Sequence, residues 1–398
     1  MKRRSFLAMG AAGALAIPAL STTTARAATS GSALPADDAA GAALGVPADS
    51  LRALAARIGL RIGTAVIPFD LDTAGYPDVL ANQFSVVTPG NEMKWQVVEP
   101  QQGVFDWSGA DRLVAFAQQH GQLVRGHTLM WHNQLPNWLT TGVSNGTITN
   151  GQLADLLKQH IFTEVSRFRG QIWQWDVANE FFVDGNPSHI NPNDFWVSHL
   201  GPDIIPQAFR WAHQADPGAL LFYNDYNIAG EDGTNAKSDA VYAWLQQMLA
   251  QGVPIHGVGD QGHLDTQYGF PTKMAADLQR FADLGLKVAI TEADVRTFVD
   301  GPTTQVPTDH LGPFAHSYFF TQMLQAALVV PEVISFTFWG FGDADSWIPG
   351  FFKGEGYGTI YDVNLQPKQT FFDLQSELKL AVHGAPRHAG DDNNDDQG

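Results

Sequence analysis

Trp173-Gln174-Trp175-Asp176-Val177-Ala178-Asn179-Glu180 is a short apolar run that ends on an amide and a carboxylate. Polar and charged groups are rare in a buried strand unless they are paired or functional. The pattern recurs at Lys287-Val288-Ala289-Ile290-Thr291-Glu292, a second apolar run that finishes on a glutamate. Two strands from distant parts of the chain therefore each terminate in a carboxylate. A fold that gathers strand ends would bring the two together.

Working outward from these runs, the same strand character appears at Arg61–Ile67, Phe84–Thr88, Leu123–Leu129, Ile172–Asn179, Ala219–Asn224, Gly257–Gly262, Lys287–Thr291 and Val333–Trp339. Helical periodicity fills the intervals. Asn150 is the expected cap of a helix with apolar Leu153, Leu156, Leu157, Ile161, Val165 and Phe168. Asp111–His120, Pro206–Gln214, Ser238–Gln251, Pro271–Leu284 and Pro313–Leu328 also read as helices. Eight strands alternating with helices predict an α/β fold, a parallel (β/α)8 TIM barrel forming one catalytic domain. A doubly wound open sheet is the alternative, but Gly63-Thr64-Ala65 after the first strand is no phosphate-binding turn. The 398 residues and 44% apolar content suit one large core.

The ends of the chain read differently. Residues 1–27 combine basic Lys2, Arg3 and Arg4, an apolar run from Phe6 to Leu20, and Ala25-Arg26-Ala27. That is the layout of an export signal, and Arg3-Arg4 resembles the twin-arginine type, so a secreted, extracellular protein is expected. Residues 28–50 read as a linker, 51–382 as the barrel, and 383–398, with Asp391, Asp392, Asp395 and Asp396, as a disordered acidic tail. Removing the four basic residues of 1–27 takes the net charge from −18 to −22. Such a chain is repelled by nucleic acid and by anionic membrane surfaces, so neither is an expected partner once the signal is gone. A monomer is expected. The absence of cysteine excludes disulfides and thiolate chemistry.

In a barrel of this kind function collects at the C-terminal ends of the strands. These ends are rich in polar and aromatic groups: Asn91, Lys94 and Trp95; His127, Trp131 and His132; Asn179-Glu180; Asn224, Asp225, Tyr226 and Asn227; Gln261 and His263; Glu292 and Asp294; Trp339 and Trp347. A single strand-end glutamate is as often a salt-bridge partner or a helix cap. A facing pair suits hydrolysis of a glycosidic bond, one carboxylate attacking the anomeric carbon and one acid protonating the leaving oxygen. Trp131, Trp339 and Trp347 either cover the core or stack on sugar rings. His127 and His263 are the candidate metal ligands, but no His-x-His lies at the first strand and no His-Glu-x-x-His occurs, so no metal and no cofactor is expected. Arg125 and Asp176 are expected to form a buried pair beneath the site.

At these residues the sequence resembles glycoside hydrolase family 10, the retaining endo-β-1,4-xylanases. The resemblance rests on Asn91-Glu92-Met93-Lys94-Trp95, Arg125-Gly126-His127-Thr128-Leu129 with Trp131-His132, and Trp175-Asp176-Val177-Ala178-Asn179-Glu180. It continues through Tyr223-Asn224-Asp225-Tyr226-Asn227, Gln261-Gly262-His263, Ile290-Thr291-Glu292-Ala293-Asp294, and Trp339-Gly340 with Asp345-Ser346-Trp347. It implies Glu180 as acid/base, Glu292 as nucleophile, Asn179 as a ligand of the sugar 2-hydroxyl and His263 as the positioner of Glu292. It also implies that Asn91, Lys94, His127, Trp131 and Gln261 line the glycone side and that Trp339 and Trp347 roof the site; Tyr226, at the end of the fifth strand, is expected to bind substrate as well. The implied partner is xylan. Rival readings are the same mechanism on decorated xylan or β-1,4-glucan, a non-catalytic carbohydrate-binding protein, and a metal-dependent amidohydrolase.

One departure bears on binding. The family usually has a sugar-binding Glu before Asn91, and Gly90 stands there. A lost charge-assisted hydrogen bond costs about 1.5–3 kcal/mol. Gly90→Glu is therefore expected to lower KM on linear xylo-oligosaccharides, measured by steady-state kinetics. An unchanged KM would contradict this reading of the departure.

Overall fold

The computed structural model describes residues 45–384. The expected signal at 1–27, most of the expected linker and nearly all of the acidic tail lie outside the described residues.

Eight strands form the core: β1 (Arg61–Val66), β2 (Val86–Pro89), β3 (Leu123–His127), β4 (Gln174–Asn179), β5 (Leu220–Asp225), β6 (Gly257–Asp260), β7 (Lys287–Asp300) and β8 (Val333–Phe338). Each is parallel to the next, and β8 pairs with both β7 and β1, so the sheet closes on itself. This is the (β/α)8 barrel. Helices cover the outer face, which is why β1, β4 and β8 are buried along their whole length rather than alternating.

Packing between neighbouring strands depends on residue size at matched register. Gly126 on β3 lies opposite Trp175 on β4. A Cβ at Gly126 would stand 2.2 Å from the indole ring, so only glycine admits that tryptophan. Trp175 in turn belongs to the continuous apolar core between barrel and helices.

Several expectations shift in detail. The helix expected to be capped by Asn150 runs from Asn150 to Arg167, and its cap is Thr149. The Thr149 hydroxyl accepts from Gln152 N while the Gln152 side chain returns to the Thr149 N–H, a capping box that satisfies two otherwise orphaned donors. Ser50, the last residue of the expected linker, is buried and its hydroxyl caps helix Leu51–Ala56. The closing helix runs Gln369–Gly384, slightly past 382. Strand β7 continues nine residues beyond the expected Thr291 end. Its extension pairs with His263–Asp265, Val306–Pro307 and Glu355–Gly356. Those short partners supply the ladder hydrogen bonds that an isolated polar extension would lack.

This arrangement puts His127, Asn179 and Asp225 on the last positions of β3, β4 and β5, with Glu292 inside the longer β7 at the same end of the barrel. Among the described residues no helix is long and apolar enough to cross a membrane.

Candidate active site

A cleft of about 850 Å³ opens at the C-terminal end of the barrel. All twelve candidate residues line it: Glu180, Glu292, Asn91, Lys94, His127, Trp131, Asn179, Tyr226, Gln261, His263, Trp339 and Trp347.

Glu292 is only 4% exposed, and its surroundings are built to keep it charged. His263 Nε2 lies 3.4 Å from Oε2. Asn224 Nδ2 donates to Oε1 at 2.7 Å, and Arg125 Nη2 stands 3.8 Å from the same oxygen. Burial alone would raise its pKa, but the hydrogen bond from His263 and the charges of His127, His263 and Arg125 outweigh that and hold it at about 2. The cation is itself supported. His263 Nδ1 lies 3.0 Å from Asp294 Oδ1. Burial disfavours the imidazolium, yet Asp294 and Glu292 overcome it and raise His263 to about 10.

Beneath the site, Arg125 and Asp176 form the expected pair, both fully buried. Arg125 Nη1 also donates to the Thr291 carbonyl at 3.2 Å, one residue before Glu292. Asp176 Oδ2 further engages His127 Nδ1 at 2.8 Å, which leaves His127 Nε2 as the ring nitrogen available to the cleft.

Glu180 is held by neutral groups. Trp131 Nε1 donates to Oε2 and Gln261 Nε2 to Oε1, each at 2.8 Å. Gln261 also ties the two carboxylates together, since its carbonyl accepts the Glu292 N–H at 2.8 Å. The backbone of Glu180 has φ +60°, a left-handed conformation that costs a non-glycine residue about 1–3 kcal/mol.

Asn224 is among the polar strand ends read from the sequence, but no role was assigned to it there. Its Oδ1 accepts from Thr291 Oγ1 at 2.6 Å, which commits Nδ2 to donate to both Glu292 and Asn179 Oδ1. Asn179 is therefore left with Nδ2 as its donor toward the cleft. A Cβ on Gly259 of β6 would come within 2.5 Å of Asn224 Oδ1, so that glycine makes room for the amide. The available signal was an amide ending the expected strand Ala219–Asn224. Asp294 was likewise given no role, although its place two residues after Glu292 puts it on the same face of β7.

The tryptophans do more than cover the site. Trp131 and Trp339 flank Lys94, with Nζ 5.1 and 5.7 Å from the two rings. Lys94 also donates to Asn91 Oδ1 at 3.2 Å. Burial lowers its pKa, opposed by Glu292, Glu180 and Glu92. Trp347 Nε1 donates to Asp294 Oδ2 at 2.8 Å, so Trp347 is linked to the carboxylate that pairs with His263. Tyr226 packs under Lys237, whose Nζ is 3.4 Å from its ring centre.

Gly90 lines the cleft beside Asn91. A Cβ there would meet only Val66 backbone atoms, 3.5 Å or more away, so a side chain has room to start. The nearly buried Asp70 lines the cleft as well, its carboxyl raised to about 6 by burial and by Asp345. Among the described residues, no group of three or more His, Asp or Glu side chains is placed to hold a metal ion.

The sequence profile of "Glycosyl hydrolase family 10" matches residues 50–377. The chain is 38% identical to endo-1,4-beta-xylanase B of Thermotoga neapolitana over 335 residues, 83% of this chain and 91% of that one. It is 37% identical to a beta-1,4-xylanase of Dictyoglomus thermophilum, across 79% and 87% of the two chains. The solved structure of xylanase 10B from Thermotoga petrophila RKU-1 in complex with xylobiose superposes with a TM-score of 0.77 at 35% identity, covering 84% of this chain and 98% of that one.

The raised His263 has a consequence for stability. Its folded pKa of about 10 exceeds the unfolded value of 6.5, so its stabilisation is complete below 6.5 and is lost as pH rises to about 10. Urea midpoints are expected to fall across that interval, and His263→Gln is expected to flatten the fall. Parallel profiles for the two proteins would contradict the charge assignment.

Proposed function

This chain belongs to glycosyl hydrolase family 10 and is an endo-1,4-β-xylanase, and we propose that it works by a retaining double displacement with Glu292 as nucleophile and Glu180 as acid/base. The observation that carries this division of labour is the contrast between the two carboxylates. Glu292 is surrounded by His263 and Arg125 and kept ionised, whereas both hydrogen bonds to Glu180 come from neutral donors.

In the first step the Glu292 carboxylate attacks the anomeric carbon while Glu180 gives its proton to the departing glycosidic oxygen. Its two oxygens keep lone pairs beyond those used by Trp131 and Gln261, so the proton can be presented to the cleft. In the second step Glu180, now ionised, takes a proton from water, which attacks the same carbon and releases Glu292. Two inversions give net retention. Asn179 Nδ2 is free to bond the sugar 2-hydroxyl, an interaction that strengthens as the ring approaches the oxocarbenium geometry. Asn91, Lys94, His127 and Gln261 offer polar contacts on the glycone side, with Trp131, Trp339 and Trp347 as walls and roof and Tyr226 as a further contact. A xylan chain bearing a side group is a second reading of the substrate, favoured by the room beside Gly90. The basic and apolar pattern of residues 1–27 supports export, and thus action on polysaccharide outside the cell.

Glu180→Ala is expected to lower kcat/KM on unactivated xylo-oligosaccharides by about 10²–10⁴-fold, while sparing the first step for substrates with good leaving groups. Added azide should then restore turnover as a β-glycosyl azide product. Equal loss on every substrate, with no azide product, would contradict the acid/base assignment.

A further inference from the structure

The left-handed backbone of Glu180 is held from behind by a network centred on the buried side chains of Tyr223, Asp225 and Lys237. The amide after Glu180, Phe181 N–H, donates to Tyr223 Oη at 3.1 Å. The next, Phe182 N–H, lies 3.4 Å from Asp225 Oδ2. The Tyr223 hydroxyl donates to that same carboxylate oxygen. The other oxygen, Oδ1, accepts from Tyr226 N–H at 2.9 Å and is paired with Lys237 Nζ at 2.9 Å. Tyr223, Asp225 and Lys237 are all fully buried. The network also reaches Glu180 from its carboxyl end, because the Asp225 carbonyl accepts the N–H of Gln261, whose side chain donates to Glu180.

Lys237 is the unusual member. It is the second residue of helix Ala236–Ala250, where the helix dipole opposes a cation. Its ammonium is nonetheless buried against three groups that follow or end strands β4 and β5: Asp225, the Tyr226 ring, and Asp184 at 3.2 Å. Without that charge, Asp225 would be a buried carboxylate with neutral partners only, and would be driven to take up a proton. A protonated Asp225 is a poorer acceptor for the Tyr223 hydroxyl and the Phe182 amide, so the turn that aims Glu180 would loosen.

We propose that Lys237 is a positioning residue for the acid/base carboxyl, acting through Asp225 and Tyr223 on the backbone turn that follows Glu180. This rests on the acid/base reading of Glu180. It predicts a defect in proton delivery rather than in nucleophilic attack, because the side-chain partners of Glu292, His263, Arg125 and Asn224, lie outside this network.

The test compares kcat/KM, which reports the first displacement, on phenyl β-xylobioside and 2,4-dinitrophenyl β-xylobioside. The first leaving group needs a proton and the second does not. Lys237→Met and Tyr223→Phe are measured in the full chain beside Glu180→Ala, with thermal unfolding followed in each. Tyr223→Phe keeps the ring that packs on Trp244 and deletes only the hydroxyl, so it decides the matter if Lys237→Met does not fold. Lys237→Met is expected to lose about 30-fold on the phenyl substrate and stay within about threefold on the dinitrophenyl one. Tyr223→Phe should show the same selectivity with a smaller loss, and Lys237→Arg should recover most of the phenyl activity. Equal losses on both substrates, or no loss in a folded variant, would overturn the proposal while leaving Glu180 as acid/base. A flat leaving-group dependence in Glu180→Ala itself would overturn the acid/base reading and this inference with it.

Discussion

A carboxylate that is almost fully buried at the mouth of a barrel must be neutralised where it stands, and that constraint organises this active site. Taking an ionised glutamate out of water is costly unless opposite charge and hydrogen bonds replace the solvent. Glu292 receives both. His263 and Arg125 supply positive charge and Asn224 supplies a donor. Each helper then needs its own partner: Asp294 for His263, Asp176 for Arg125, and Thr291 for Asn224. The alternation of anions and cations across β3, β4 and β7 is the result. It explains why barrel strands that should be apolar carry Arg125, Asp176 and Thr291 at full burial.

Glu180 lives under a different rule. In the acid/base role proposed for it, a group that holds a proton and then loses it is better served by neutral donors than by fixed charge. Its carboxylate accepts from the Trp131 indole and the Gln261 amide instead. The two glutamates thus differ in their surroundings more than in their own chemistry, and the wall of the barrel between them, through Gln261 and Asn224, keeps the two environments in fixed relation.

Much of this was legible in the sequence. Strand positions could be read because parallel barrel strands are buried on both faces and therefore run apolar without alternation, and because each run ends abruptly on polar groups. The twelve residues read as the site all line one cleft for the same reason. What escaped reading depends on contacts between strands. Nothing local in Asn224 says that Thr291 will orient its amide, and nothing in Lys237, a lysine in a helical stretch, says that its ammonium is buried against Asp225. The capping box at Thr149 was legible in principle from Thr-x-x-Gln, but Asn150 competed for the same role. The extension of β7 to Asp300 required three partner segments distant in sequence.

The assignment of Glu292 as the nucleophile is tested most directly by trapping. Incubation with 2,4-dinitrophenyl 2-deoxy-2-fluoro-β-xylobioside slows both displacements, and the good leaving group lets the intermediate accumulate. Proteolysis and mass spectrometry then locate the label. One fluoroxylobiosyl group per chain, on the peptide that contains Glu292, is the result expected. A label on another residue, or no label together with an inverted product, would contradict the assignment.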